Sequence, residues 1–354
     1  MTVENRQSGF LPLITDTINE VTMRKEIIRF KHPVSIISSA SVVGKREHEG
    51  PFGDIFDEYD PSDSFDKDSW EKAEAEMQKR ALTIALTKAK KEEDDIDGIF
   101  AGDLINQCTS SAYGLLDFDI PYFGLYGACS TAALSLFLAS LAINAGMESC
   151  ACVTSSHFCS AERQFRFPLE YGSQRTPTSQ WTVTGAGAFI LSSEGEGPYI
   201  VDGMGGISTD MGINDANNMG AAMAPAAIST LTRYFEATGT KPQDYDKIIT
   251  GDLGFEGHGI VIDLMLEKGY DVRNVYTDCG LVIYDRERQD MHAGASGCGC
   301  SAVMMASHFL EEMKKGILKD ILFVGTGALL SPMAVMQGQN IPGIAHLVHL
   351  KSEI

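Results

Sequence analysis

Cys129, in the run Gly127-Ala-Cys-Ser-Thr131, stands where a short apolar segment meets a long apolar stretch of helical character. A thiol at such a strand-to-helix junction faces free backbone N–H groups and the positive end of the helix dipole, which favour a thiolate or a bound anion. Two readings follow: a nucleophile, or the floor of an anion pocket. Nucleophilic acyl transfer would also require a base and an oxyanion hole. His157, His258 and His292 are the candidates for that base. The eight histidines show no metal-ligand spacing, so no metal centre is expected.

The elements that must position Cys129 occur twice. Ile96-Asp-Gly-Ile-Phe-Ala-Gly-Asp-Leu104 returns as Asp246-Lys-Ile-Ile-Thr-Gly-Asp-Leu253. The Gly127 run has a counterpart in Gly297-Cys-Gly-Cys-Ser301, and each opens a helical stretch that leads to a strand, at 149–155 and 320–325. Two copies of strand, loop, helix and strand imply two similar half-domains with the pocket where they meet. The expected organisation is an extension over 1–26, a first half over 27–197 and a second over 198–354, divided at the turn Gly195-Glu-Gly-Pro198. Strands alternating with helices in both halves predict a layered α/β fold with buried strands.

Local signals fill in this outline. Short strands over 27–30 and 34–39 read as an edge hairpin turning at His32-Pro33. Residues 54–76 carry ten acidic residues against Lys67 and Lys72, which reads as a solvated face. A capping-box-like start at Ser69 opens a helix to about Lys91 with Ala73, Met77, Ala81, Ile84 and Ala85 on one side. The polar stretch 158–182 reads as a long functional loop, and 282–284 as a strand.

Composition removes several function classes. At 354 residues the chain is long enough for two cores. Its net charge of −20 disfavours nucleic acid and anionic membrane surfaces as electrostatic partners. No apolar run reaches the roughly 18 residues of a membrane span, and the N-terminus lacks the charged-then-apolar layout of a secretory leader. Eight cysteines, two pairs of them at spacing two, fit neither a zinc pattern nor a small disulfide scaffold. No phosphate-binding GxxxxGK[ST] run occurs, so ATP hydrolysis is not expected.

The Cys129 run at a helix start, the duplication, and Gly294-Ala-Ser-Gly297 before the second helix resemble the thiolase and ketoacyl-synthase superfamily from about residue 30 onward. The resemblance implies a thiolase-like fold of two layered α-β-α-β-α half-domains. Further strings, among them Gly102-Asp-Leu-Ile-Asn-Gln107, Thr154-Ser-Ser-His157, Ala161-Glu-Arg-Gln-Phe-Arg166, Thr182-Val-Thr-Gly185 and Thr326-Gly-Ala-Leu-Leu-Ser-Pro332, resemble the stage V sporulation protein AD family of endospore-forming bacteria. That family implies a binder of pyridine-2,6-dicarboxylate (dipicolinic acid), free or as its calcium chelate, with no other cofactor. It implies a peripheral place on the inner spore membrane, partner SpoVA proteins, and a role in uptake of the compound during sporulation and its release at germination. The superfamily also implies a possible homodimer.

Carried over residue by residue, the resemblance favours binding over catalysis. Cys129 falls at the thiolase nucleophile, but Met291 falls where the catalytic histidine belongs, with His292 one place along. Phe323 replaces the second thiolase cysteine, and Asp252 occupies a strand end that supplies Asn or His in the enzymes. A planar dianion wants Arg forks, hydroxyls and amide donors. Arg163 and Arg166, three apart, are the expected clamps, and Ser155, Ser156 and His157 are expected to overlook the same pocket as Cys129. Asn106 and Gln107 would hydrogen-bond the ligand, Asp103 would orient a neighbour or meet the accompanying calcium, and Thr182 and Thr184 would supply hydroxyls. The alternative is a Cys129-dependent acyl transferase or condensing enzyme.

Overall fold

A computed structural model describes residues 26–165 and 175–354. All but Glu26 of the expected N-terminal extension, and Arg166, lie outside them. Eleven strands form one mixed sheet whose main path runs Tyr276–Asp278, Lys247–Thr250, Asp320–Ala328, Gly343–Lys351, Tyr199–Met204, Ile27–Gly44, Gly185–Ser192, Ser149–Ser156, Gly98–Gly102 and Tyr122–Gly124. The order mirrors itself about the antiparallel junction of Ile27–Gly44 with Tyr199–Met204. Outward on either side come two antiparallel pairings and then two parallel ones. The repeated strings at Ile96 and Asp246 form the corresponding strands Gly98–Gly102 and Lys247–Thr250.

Hydrophobic patterning explains the layers. The helix Trp70–Ala89 starts where the Ser69 hydroxyl accepts from the Lys72 amide at 3.4 Å. Its Ala73, Met77, Ala81 and Ala85 are buried against first-half strands, and Lys90 ends it in a left-handed conformation. Met219–Thr238 and Gly254–Glu267 cover the second half in the same manner, through Leu231, Met265 and Leu322. The helix Thr131–Asn144 is apolar nearly all round and packs against strands of both halves, with Leu136 and Phe137 meeting Phe323 in the middle core. Cys298–Met304 shares that middle layer.

Three local expectations are corrected. Residues 27–44 form one strand of 18 residues at the centre of the sheet rather than an edge hairpin. Pro33, which has no N–H to donate, falls where the register with Tyr199–Met204 slips between Arg29 and Val34. Residues 282–284 are not a strand: Cys279–Val282 is a short helix, and Ile283 and Tyr284 are buried beyond it. A short apolar run shows burial without showing its secondary structure. Within the expected loop at 158, Phe158–Phe165 is helical, its first turn held by Cys159 N donating to His157 Nδ1 at 3.1 Å.

No helix among the described residues is long and apolar enough to cross a membrane. Because Leu136 is fully enclosed in the middle layer, Leu136→Ala should lower the unfolding free energy by about 2–5 kcal/mol. Denaturant unfolding checks this, and a loss near zero would show that the layer is not close-packed.

Candidate functional site

The turn before the central helix is fixed by its own side chains. Ser130 Oγ donates to Gly127 O at 2.6 Å, and Thr131 Oγ1 donates to Ala128 O at 2.7 Å while accepting from Gly127 N at 3.1 Å. Ala128 takes a left-handed φ of 50°, which turns Cys129 to a cavity floor where it is 5% exposed. The second half meets this turn backbone to backbone: a Cβ at Gly327 would stand 2.6 Å from Gly127 O. Gly297, at φ 100°, passes so close to Ser156 that a Cβ would lie 2.6 Å from its hydroxyl.

Above Cys129 lies a cavity of about 190 Å³. Leu104, Tyr126, Ala161 and Phe165 wall it from the first half, and Met219, Ala328, Leu330 and Val335 from the second. Ser179, Gln180, Thr182, Asn217, Ser296 and Glu162 are among its polar residues. Among the described residues, no arginine, lysine or histidine lines it.

The electrostatics of the floor are set by Asp252, fully buried at the end of the strand Lys247–Thr250. Its carboxylate accepts from Gly297 N at 2.8 Å, Thr326 Oγ1 at 2.9 Å and Ser296 Oγ at 3.1 Å. It also faces the Cys129 thiol. Burial pushes the thiol well above its ordinary value, and the facing carboxylate raises it further. The same burial raises Asp252 to about 6, against the lowering effect of its donors. The helix dipole that favours a thiolate at this position offers about 0.3–2 kcal/mol. Desolvation of a buried group is worth up to about 3–5 pKa units, and here it wins. Cys129 is a thiol.

Cys129 and Thr182 line the cavity; the other expected residues that can be placed do not. Ser155 Oγ donates to Glu74 Oε1 at 2.9 Å and accepts from Gln78 at 2.6 Å, behind the wall. Ser156 Oγ donates to Val183 O at 2.7 Å. His157 Nε2 donates to Asp63 O at 2.8 Å, and burial lowers its pKa. Thr184 Oγ1 accepts from Phe158 N at 3.1 Å, while its neighbour Thr182 is the one at the cavity. Asp103 accepts from Ile105 N and from the Ser111 amide and hydroxyl, shaping the loop after the first repeat strand. Asn106 is exposed, its backbone N–H donating to Gln164 Oε1 at 2.8 Å. Arg163 turns outward to pair with Glu71. His258 stacks on Tyr276 at 4.6 Å, and His292 Nδ1 donates to Thr176 O at 2.7 Å. Sequence reasoning missed Gln180, Asn217 and Ser296 as cavity residues, although the last stands in the Gly294–Gly297 string already singled out.

The fold and floor define a thiolase-like protein. Over 91% of this chain it superposes on 99% of an OleA variant from Xanthomonas campestris, with a TM-score of 0.57 at 13% identity. The 3-oxoacyl-[acyl-carrier-protein] synthase III of Aquifex aeolicus gives 0.51 at 14% identity, over 89% of this chain and 99% of that one. The priming β-ketosynthase of the R1128 polyketide pathway gives 0.54 at 11%, over 92% and 98%. Sequence comparison is narrower: the family model for stage V sporulation protein AD (SpoVAD) matches residues 24–351. Stage V sporulation protein AD of Bacillus subtilis (strain 168) is 41% identical over 318 residues, 90% of this chain and 94% of that protein. The chain belongs to the SpoVAD family, which gives it a sporulation role.

A raised thiol pKa moves alkylation to higher pH, because only the thiolate reacts. Native Cys129 should therefore react with iodoacetamide at pH 8.5 at least about 10-fold more slowly than a free cysteine. Asp252→Asn, by removing the facing charge, should accelerate it. Peptide mass mapping after timed labelling checks both, and fast labelling of the native thiol would contradict this electrostatic picture.

Proposed function

We propose that this chain is a non-catalytic binder of pyridine-2,6-dicarboxylate that works with SpoVA proteins at the inner spore membrane. Its task there is uptake of the compound into the developing spore and its release at germination. Family membership supports the sporulation setting, and the resemblance set out from the sequence supplies the ligand. The observation that carries binding over catalysis is the Asp252 carboxylate set against Cys129. A condensing enzyme needs a base to take up the thiol's proton and donors to stabilise an oxyanion. A carboxylate already engaged by three donors at this point holds the proton on sulfur and opposes new negative charge.

The cavity suits a small planar ring. Leu104, Tyr126, Phe165 and Val335 offer apolar and aromatic faces, and the Thr182 hydroxyl and Asn217 amide offer donors. A second copy of the chain is the proposed partner at the free sheet edge. There Tyr113, Leu116, Tyr122 and Phe123 are exposed beside the edge strand Tyr122–Gly124.

Calorimetry with dipicolinate, with and without calcium, should give saturable heat that weakens in Thr182→Val. The expected loss is about 1–3 kcal/mol for removing one hydrogen bond to a charged group. Intact-mass analysis after incubation with acyl-CoA should show no adduct. Acylation that disappears in Cys129→Ala would replace this reading with the acyl-transferase one.

A further inference from the structure

Ser296 joins two environments. Ser296 lines the cavity, and its hydroxyl donates to the buried Asp252 Oδ2 at 3.1 Å. Cys129 stands in the same position, at the cavity on one side and against Asp252 on the other. An anion placed on the floor would therefore be separated from the Asp252 carboxylate by a single layer of donors, all of them turned away from it.

Among the described residues, the titratable groups near Asp252 offer it no positive charge. Cys129 comes from the turn before the central helix, Cys298 and Cys300 from the helix Cys298–Met304, Asp278 from the end of the strand Tyr276–Asp278, and Cys279 from the start of the short helix after it. Glu162, another acidic residue, lines the cavity wall. None of these carries positive charge. Two anions one layer apart, one of them fully buried, repel strongly, and the lower-energy arrangement is for one of them to be protonated.

We propose that an anionic ligand enters this cavity together with a proton, taken up from solvent by the Asp252 carboxyl group. Once protonated, Asp252 Oδ2 donates to Ser296 Oγ, and the Ser296 hydroxyl turns its hydrogen to the ligand. The Cys129 S–H is released from the carboxylate in the same way. Gly297 N and Thr326 Oγ1 continue to donate to the Asp252 oxygens and hold it in place. No covalent bond changes except O–H formation on Asp252. Its position just below neutrality, at about 6, lets a modest push from the ligand complete the uptake near pH 7.

The proposal rests on the dicarboxylate reading and is tested separately from it. Dipicolinate is titrated into the wild-type protein at pH 7 in two buffers of different ionisation enthalpy. The difference in heat should report uptake approaching about one proton per ligand. Affinity should fall by up to about tenfold per pH unit as pH rises from 6 to 8. Asp252→Asn should abolish the uptake and flatten the pH profile, and Ser296→Ala should weaken binding and reduce uptake. Glu162→Gln should leave uptake unchanged; its loss in that variant would move the proton to Glu162 and overturn the assignment. Binding with no proton uptake in the wild-type protein overturns the coupling alone, without needing any variant to fold. No heat at any pH overturns the ligand reading and the coupling with it.

Discussion

A carboxylate buried against a thiol is the constraint on which the site depends. Asp252 ends a second-half strand, yet it is held by Thr326 from a neighbouring strand and by Ser296 and Gly297 from the turn before the second middle helix. Its backbone carbonyl accepts from Gln180, on the segment that closes the cavity from the other side. Asp278, buried beside it, accepts from Leu253 N at 2.9 Å and Gly254 N at 3.0 Å and so fixes the turn that carries Asp252. The site therefore exists only where both halves close on one residue. In place of a charge pair, hydroxyls and backbone amides satisfy the acid, which is the lower-cost way to bury it when no cation is at hand.

The same solution recurs in this strongly acidic chain. Glu74 is fully buried and accepts from Ser155 and Ser160, and burial together with nearby Asp103 raises its pKa. Glu47 is held by Tyr284 and the Thr184 amide, and burial raises it to about 7. Of the groups that looked like ligand donors, the Ser155 hydroxyl and the Thr184 amide are thus spent on internal acids, and the Ser156 hydroxyl on the Val183 carbonyl. That is why the strand end Ser155–Ser156, together with His157, lies behind the cavity instead of in it.

The duplication was legible because the repeated strings fall at strand ends and helix starts, where Gly and Asp are fixed by backbone geometry. The position of Cys129 was legible for the same reason, through Gly127 and the helix that follows. Direction was not: sequence places Ser155 and His157 near Cys129, but packing turns them to Glu74 and to the Asp63 carbonyl instead. Arg163 pairs with Glu71 of the acidic stretch, because in so acidic a chain a surface carboxylate competes with any ligand for the guanidinium. The central strand was mistaken for a hairpin because Pro33 imitates a turn, whereas a register slip accommodates it. Asp252 was recognised as out of place for an enzyme, although its contact with the thiol needed coordinates.

The central claim is that Cys129 keeps its proton because a buried acid faces it. The most direct measurement is the Raman S–H stretch of Cys129 in the folded protein, isolated as the difference from Cys129→Ala. The account predicts an S–H band that persists through neutral pH up to at least the ordinary thiol pKa of 9.0. Its absence at neutral pH would mean a resident thiolate, and would contradict the account.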